Sequence, residues 1–235
     1  MKVIGHGLIA SVFRGKDYGK DVIIFASGVS KSRENSFYNF DKERVLLNNT
    51  LAQNKKLVYF STCSAGASPG ITSPYIAHKL KMEKLVLESS SNIIIRLPQV
   101  VGKSRNSSTL VNFFAKNIYR MEPFEIEVNT VRNIIDIDDV RLITEYILEK
   151  NEFGKIHDCS LPISFSVLRI VKQLEIILNI KGLYTEKLGE PATYQPSEII
   201  FKAVRDGRLE VSDSYLYDIL SKHYSAFSSW VDDLV

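Results

Sequence analysis

Three long apolar runs constrain the fold of this chain more than any other feature of its sequence. They read "DVIIFASG", "LVYFSTCS" and "NIIIRLPQVVG", and each ends in small or polar residues. Apolar runs without polar alternation are typical of parallel strands that are buried on both faces of a sheet. Segments with helical periodicity separate the runs. The sequence therefore predicts an α/β fold, a parallel sheet that is flanked by helices and joined by right-handed crossovers.

The composition excludes several other classes of protein. Of the 235 residues, 45% are hydrophobic and 24% are charged, as in ordinary globular proteins. The net charge is only +3 and no long run of like charge occurs, so we expect no nucleic-acid partner. The two cysteines lack the spacing of a disulfide framework or a metal site. No apolar run approaches the roughly 18 residues of a membrane span, and we expect a cytoplasmic protein.

The pattern divides the chain into two parts. Residues 1–103 alternate strands and helices, and they form the predicted Rossmann-like core that would bind a dinucleotide. Residues 104–235 form mainly a smaller lobe that packs on the core. Within this second part, a strand at about 131–138 could extend the core sheet.

The glycine turn after the first strand is the first candidate binding element. "GHGLIA" matches Gly-x-Gly-x-x-Ala, a variant of the dinucleotide fingerprint. Gly5 and Gly7 would let a pyrophosphate approach the backbone, with Leu8 and Ile9 at the start of the following helix. The alternative is an ordinary glycine turn after a strand.

The segment after this turn is short. Residues 8–21 alone separate it from the next apolar run, which leaves room for one short helix and a turn. A complete mononucleotide-binding half needs two further strands with their helices in this place. The sequence therefore predicts a Rossmann-like sheet that lacks two strands of its first mononucleotide half, on the adenosine side of the site.

Four strand ends carry small or polar residues, and ligands of open α/β sheets bind beyond such carboxyl ends. The four segments are residues 5–7, 26–28, 61–64 and 98–102. Their common position predicts a crevice at one edge of the sheet.

A tyrosine and a lysine follow the third of these strand ends at helical spacing. "SPYIAHKLKMEKLV" places Tyr75 and Lys79 four residues apart, so that both side chains lie on one face of a helix. The pair is either catalytic or the solvated side of the helix. His78 would point away from this face, and we expect no role for it.

Taken in order, six segments resemble the extended short-chain dehydrogenases/reductases, a superfamily of NAD-dependent sugar-nucleotide epimerases, dehydratases and 4-keto-reductases. The segments are "VIGHGLIAS", "DVIIFASG", "LVYFSTCS", "SPYIAHKLKMEKLV", "IIIRLPQVVGKS" and "VRNIIDIDDV". The resemblance covers residues 2–180, and Gln99 stands where the family has asparagine.

This resemblance implies a set of catalytic and cofactor-binding residues. Tyr75 would donate or accept a proton at a sugar carbon, while Lys79 would lower the tyrosine pKa and hold the nicotinamide ribose. Thr62 would hydrogen-bond the reacting oxygen, and Ser61 is a weaker candidate for that role. The implied cofactor is NAD or NADP, which would carry the hydride. The positions implied to contact it are Gly5, Gly7, Leu8, Ile9, Ala26, Ser27, Ser61, Tyr75, Lys79 and Pro98.

The resemblance also implies how a nucleotide-linked sugar would bind. Arg132 would grip the diphosphate of the substrate, because a guanidinium pairs well with phosphate oxygens. Gln99 would touch the same diphosphate or cap its own loop. The alternative for Arg132 is a salt bridge with Asp136 or Asp138. The helix that bears Tyr75 pairs subunits in many relatives, which implies a homodimer.

The residues after Thr62 narrow the expected reaction. Family dehydratases have Thr-Asp-Glu at this point, whereas this chain has Thr62-Cys63-Ser64. The resemblance therefore implies a keto-reductase or an epimerase rather than a dehydratase, with a role in polysaccharide synthesis. The alternative is a non-catalytic regulatory protein that kept the fold and binds a sugar nucleotide or a dinucleotide, because part of the cofactor seat is absent.

Overall fold

The computed structural model describes residues 2–66, 73–189 and 193–234, and it divides into two compact units. Unit 1 comprises residues 1–98, 137–160 and 195–209. Unit 2 comprises residues 99–136, 161–194 and 210–235. These units differ from the predicted division at residue 103, because two later segments of the chain return to the first unit.

Strands and helices alternate along most of unit 1, as the apolar runs predicted. The strands within the described residues are β1 (Lys2–Ile4), β2 (Val22–Phe25), β3 (Lys56–Thr62), β4 (Ile93–Leu97), β5 (Gln99–Val101), β6 (Phe124–Val128), β7 (Val131–Arg132), β8 (Ile134–Asp136), β9 (Lys155–Asp158), β10 (Phe165–Ser166) and β11 (Tyr184–Leu188). The α-helices are α1 (Leu8–Phe13), α2 (Phe37–Leu51), α3 (Pro74–Val86), α4 (Leu110–Arg120), α5 (Ile137–Glu149), α6 (Val167–Leu178), α7 (Glu198–Arg205) and α8 (Tyr215–Tyr224).

Unit 1 is built on a five-stranded parallel sheet with the order β1-β2-β3-β4-β9. Ile4 pairs with Phe25, and Phe25 in turn pairs with Tyr59, so the carboxyl ends of β1 and β2 lie side by side and β3 extends three residues beyond them. All four residues of β2 are buried, which confirms that this run is covered on both faces. The predicted α/β class with a parallel sheet and flanking helices is confirmed.

The sheet has β1 at one edge. Within the part of the chain that the structure describes, no strand pairs with the outer side of β1, so the two strands of a complete mononucleotide half are missing there, as predicted. The prediction that a strand at about 131–138 could extend this sheet is wrong. β9 takes that place beside β4, whereas β7 and β8 pair with other strands inside unit 2.

Helices α1 and α2 lie on opposite faces of the sheet. Phe13 of α1 packs against Phe60, with ring centroids 5.6 Å apart, whereas the preceding strand residue Tyr59 bonds Glu43 of α2. Consecutive strand residues point to opposite faces. Since β1, β2 and β3 follow one another in one direction across the sheet, the two crossovers that join them have opposite hands. The prediction that all crossovers are right-handed is therefore wrong.

The short connection after α1 explains this exception. Residues 14–21 turn at Gly15 and Gly19, whose φ angles are +74° and +84°. Glycine adopts such angles without steric strain, so the chain can return directly to β2 from the face that α1 occupies. A longer connection would have had room to cross to the other face, where the right-handed route lies.

The face of the sheet that α2 and α3 cover forms a core of aromatic and aliphatic side chains. Its fully buried members are Phe25, Leu47, Leu57, Tyr59, Met82, Val86 and Ile94. Both helices start at a serine cap. Ser36 accepts from the Asn39 amide and Ser73 accepts from the Ile76 amide, and Pro74 takes the first helical position, where it costs no hydrogen bond.

The part of unit 2 that the structure describes contains three pairs of short strands and three α-helices. β5 pairs with β8 and β6 with β11, both parallel, while β7 pairs with β10 in the antiparallel sense. Helix α6 packs against α4 and α8. In both units, no helix within the described ranges combines the length and the apolar character that a membrane span requires.

Gly5 gives the first test of this fold. Its φ is +124°, and a Cβ placed on it would lie 2.1 Å from the carbonyl oxygen of Ala26. Gly5→Ala should therefore destabilise the protein by about 3 kcal/mol or more, because backbone strain and a backbone clash act together. Urea unfolding followed by circular dichroism measures this change.

Gly7→Ala is the matched control for that experiment. Gly7 has a φ of −79°, and a Cβ there would meet no atom within 4 Å. The free energy of unfolding should change by less than about 1 kcal/mol. Equal losses in the two variants would contradict the close approach of Gly5 to Ala26.

Candidate active site

The turn between β1 and α1 depends on one of its two glycines. The Ala26 amide donates to the Ile4 carbonyl over 2.8 Å, which draws the ends of β1 and β2 together and leaves no room for a side chain at Gly5. Gly7 caps α1 without a steric need for glycine. The predicted cofactor positions Leu8 and Ile9 form the first turn of α1 and are half-buried.

The ends of β2 and β3 supply the next predicted positions. Ala26 and Ser27 are half-buried directly after β2, and Pro98 is half-buried after β4. Ser61 lies near the end of β3, where its hydroxyl is buried and has no hydrogen-bond partner. A buried hydroxyl without a partner is unusual, because losing hydration without a replacement bond costs free energy.

Thr62 and Tyr75 come together beside the end of β3. Thr62 is half-buried and accepts a hydrogen bond from the Ser64 amide over 3.2 Å. Tyr75, in the first turn of α3, is 8% exposed. Burial raises the pKa of the Tyr75 phenol to about 12, the negative charge of Glu43 acts in the same direction, and a hydrogen bond with the Thr62 side chain opposes both. The structure therefore places two of the three predicted catalytic residues in one pair.

Lys79 occupies a different environment from the one that the resemblance implies. Its side chain is buried, and its Nζ lies 3.0 Å from Oε1 of Glu43 and 3.1 Å from the hydroxyl of Tyr59. In the protein without ligands, the pKa of Tyr75 is raised, first by burial and then by the negative charge of Glu43. The lowering of this pKa by Lys79 stays a prediction of the resemblance.

Glu43 is the centre of a buried polar network. Its Oε1 accepts from Tyr59 over 2.6 Å and from Lys79, while its Oε2 accepts from the Val29 amide over 2.7 Å and lies 3.0 Å from Nε2 of His78. Burial alone would raise the pKa of this carboxyl. The His78 hydrogen bond and the charge of Lys79, with the other two hydrogen bonds, lower the pKa to about 2.

Sequence reasoning missed Glu43, although a signal was present. The buried positions of α2 are Glu43, Leu47 and Thr50, at the i, i+4 and i+7 spacing of a core-facing stripe. An acid in an apolar stripe calls for a buried partner, because an unpaired charge is costly in the core. His78 was also misjudged: it is buried, bonds Glu43 and stacks on Phe40 at 4.5 Å.

A second buried ion pair fixes the far end of α3. Glu83, four residues beyond Lys79, receives two hydrogen bonds of 2.9 and 2.7 Å from Arg96 of β4. Arg96 also lies 3.5 Å from Asp158 of β9. Bidentate pairs of this kind resist rotation, so they hold α3 at a fixed height against the sheet.

The predicted substrate residues Gln99 and Arg132 belong to unit 2. Gln99 is exposed, and its backbone N–H donates a hydrogen bond to the backbone carbonyl of Asn133 over 3.1 Å. Arg132 lies 2.7 Å from Glu127 and also donates to the Val131 carbonyl. The salt bridge that was the alternative for Arg132 thus exists, but its partner is Glu127 rather than Asp136 or Asp138.

The strand ends of unit 1 fit one part of a nicotinamide dinucleotide better than the other. The unpartnered hydroxyl of Ser61 and the Thr62–Tyr75 pair suit the reactive end of such a group, and the open space at Gly7 suits its pyrophosphate. Lys79 does not offer its ammonium in the same way, because Glu43 and Tyr59 already bond it. On the adenosine side, the described residues contain no strand beyond β1.

Comparisons of sequence and structure give different results for this chain. No family model and no curated protein matches its sequence. Solved structures do match its fold. A UDP-glucuronic acid 4-epimerase mutant from Bacillus cereus, with NAD and a fluorinated UDP-sugar, has a TM-score of 0.72 at 20% identity over 94% of this chain and 78% of its own.

Two further structures agree with that match. A dTDP-glucose 4,6-dehydratase from Bacillus anthracis in complex with NAD has a TM-score of 0.71 at 16% identity, and the match covers 91% of this chain and 74% of that one. RMD from Pseudomonas aeruginosa complexed with NADPH has a TM-score of 0.72 at 14% identity, with 95% and 88% covered. The chain has the extended short-chain dehydrogenase fold. This confirms the fold that the six sequence segments implied.

The buried carboxylate of Glu43 predicts how the stability of the protein depends on pH. The pKa of Glu43 falls from 4.5 to about 2 on folding, so the folded state favours the carboxylate. Its contribution is fully present above pH 4.5 and is lost as the pH falls toward 2. Between pH 5 and pH 2, the free energy of unfolding of Glu43→Gln should therefore fall by about 3 kcal/mol less than that of the wild type.

Urea unfolding at pH values from 2 to 7 measures that dependence. Glu88→Gln is the control, because Glu88 is exposed and carries the same change of charge. Its pH profile should follow the wild-type profile. A Glu43→Gln profile parallel to both would show that the Glu43 carboxyl does not change its pKa on folding.

Proposed function

We propose that this chain binds a nicotinamide dinucleotide, NAD or NADP, and acts on a nucleotide-linked sugar as a keto-reductase or an epimerase. The observation that carries the proposal is the Thr62–Tyr75 pair at the carboxyl end of β3, two strands from the glycine turn that follows β1. A hydroxyl pair at this edge can orient a sugar oxygen and exchange a proton with it. The solved structures of similar fold, which contain NAD or NADPH, support the choice of cofactor.

The roles of the residues follow from their chemistry. Tyr75 gives or takes the proton at the sugar oxygen, and Thr62 holds that oxygen in place. A bound dinucleotide would accept a hydride from, or donate one to, the sugar carbon that carries this oxygen. Arg132 and Gln99 remain the candidates for binding the substrate diphosphate, and a homodimer and a cytoplasmic role in polysaccharide synthesis remain further proposals.

The residues after β3 support a reductase or an epimerase over a dehydratase. Elimination of water needs an acid and a base beside the sugar, and this chain offers Cys63 and Ser64 at those positions. Burial raises the pKa of the Cys63 thiol, with the negative charge of Asp158 as the next contribution, so the thiol stays protonated at neutral pH. Its Sγ lies 3.3 Å from the Arg96 carbonyl, which gives it a packing role.

One observation favours a second candidate, a non-catalytic protein that binds a dinucleotide or a sugar nucleotide. The Lys79 ammonium is held by Glu43 and Tyr59 and is buried, so it does not activate Tyr75 in the free protein. A chain with this arrangement can retain ligand binding at the strand ends without turnover.

The first test of the proposed function is whether the protein binds a reduced dinucleotide. Titration with NADH and NADPH, followed by nicotinamide fluorescence, should show saturable binding at or below roughly millimolar concentration. Gly7→Ala, which should leave stability nearly unchanged, should weaken it, because a methyl group there enters the open space at the start of α1 where a pyrophosphate would approach. Absence of binding of either dinucleotide by the wild-type protein would overturn the enzyme proposal.

Replacement of Tyr75 tests catalysis directly. Tyr75→Phe should lower turnover of a nucleotide-linked sugar by about 10²- to 10⁴-fold, because the proton donor is lost while the ring and its packing stay. Tyr38→Phe is the control, since Tyr38 is 73% exposed and its variant should keep wild-type turnover. Equal turnover in wild type and Tyr75→Phe would remove Tyr75 from the mechanism. Binding without turnover in the wild type would favour the non-catalytic protein.

A further inference from the structure

The Glu43–Lys79 pair lies directly beneath the backbone of Gly28. A Cβ on Gly28 would stand 2.5 Å from Nζ of Lys79 and 2.9 Å from Oε1 of Glu43. The side chains of Lys79 and Glu43 are 3% and 2% exposed. The ion pair is thus shut off from solvent, and its nearest cover is the loop that follows β2.

Every acceptor position of the Glu43 carboxylate is in use. Each of its oxygens has two partners, so the side chain is held from the loop after β2, from β3 and from α3 at once. A carboxylate fixed from so many directions cannot turn away from Lys79 without leaving buried donors unpaired. The capture of Lys79 is therefore a built feature of the unit.

Distance decides which group the ammonium serves. Nζ of Lys79 lies 3.0 Å from the Glu43 oxygen but 6.0 Å from the ring centroid of Tyr75. At the longer distance the positive charge is largely offset by the carboxylate next to it, and the pair as a whole exerts little attraction on a phenolate. The ordinary route by which a lysine activates a tyrosine, a nearby uncompensated cation, is closed here.

We propose that Glu43 is a positioning residue that, by holding Lys79, keeps Tyr75 protonated and makes the site a proton donor to the carbonyl oxygen of a keto-sugar. This inference rests on the proposed function for its substrate class. A bound reduced nicotinamide would supply the hydride to the carbonyl carbon as the C=O π bond breaks. The Tyr75 proton passes to the oxygen, the product is an alcohol, and water reprotonates the phenolate.

The charged and titratable groups around Tyr75 agree with this assignment. Burial and the charge of Glu43 raise the pKa of Tyr75 to about 12. Glu43, Tyr59 and Lys79 act on Tyr75 or lie against its ring, and His78, Glu83 and Arg96 act on or pair with these groups in turn. Arg96 is paired with Glu83, so each of the two lysine and arginine charges in this group faces a carboxylate.

Titration of Tyr75 in the protein without ligands is the primary test. Protein labelled with ¹³Cζ-tyrosine reports each phenol by NMR, and the spectrum of Tyr75→Phe assigns the Tyr75 signal. In the wild type this signal should show no ionisation below about pH 11, above the value near 10 of a free tyrosine. A wild-type midpoint at or below about 10 would overturn the proposal without the need for any variant.

Glu43→Gln then tests the residue itself. The Tyr75 midpoint should fall by about one pH unit or more, a tenfold rise in the phenolate fraction at a given pH, whereas Glu88→Gln leaves it in place. In the double variant Glu43→Gln with Lys79→Met, the midpoint should return toward the wild-type value. A midpoint that stays low in the double variant would show that Glu43 acts by its own charge, and would overturn its role through Lys79.

The pH dependence of turnover supplies a second readout. For reduction of a keto-sugar nucleotide, kcat/KM of the wild type should stay level from pH 7 to about 10, because it follows the acid form of Tyr75. In Glu43→Gln, the pH at which kcat/KM begins to fall should be lower, by the same shift as the Tyr75 midpoint measured by NMR. A wild-type falling limb that Tyr75 sets below pH 10 would overturn the proposal. Failure of the proposed function shows separately, as absence of dinucleotide binding, because the NMR titration uses neither cofactor nor substrate.

Discussion

The carboxylate of Glu43 lies where four segments of unit 1 meet. It joins the loop after β2, strand β3 and helix α3 to its own helix α2, through hydrogen bonds and one buried ion pair. A buried charge is stable only while it is paired, so none of these segments can move without exposing an unpaired group. The candidate site residues Ser61, Thr62 and Tyr75 lie on β3 and α3, two of the segments that Glu43 holds.

The edge of the sheet sets a second constraint, on which part of a ligand the strand ends could contact. β1 is an edge strand, and it reaches β2 through a short helix on the opposite face from α2. The close approach of Gly5 to Ala26 keeps the glycine turn intact despite this change of topology. The described residues therefore keep Ser61, Thr62 and Tyr75 at the strand ends but offer no sheet beyond β1. Under the proposed function, a dinucleotide would bind mainly through its nicotinamide end.

Much of the fold and part of the site could be predicted from residue patterns. The buried strands, the small residues at their ends, the missing strands and the helical spacing of Tyr75 and Lys79 are all local properties, which periodicity records. The environment of Lys79 was not predictable in this way, because its partner Glu43 lies 36 residues earlier and on another helix. The handedness of the first crossover was not predictable either, because the general rule for crossovers does not describe a connection as short as residues 14–21.

The sequence by itself determined the α/β class, the alternation of strands and helices in unit 1 and the set of side chains at the strand ends. These follow from apolar runs and glycine positions, whose consequences act within a few residues. Only the tertiary structure decided which charges meet. It assigned Lys79 to Glu43 rather than to Tyr75, Arg132 to Glu127, and β9 rather than β8 to the edge beside β4. The reason is that burial and electrostatic interaction depend on distance in space, which separation along the chain does not set.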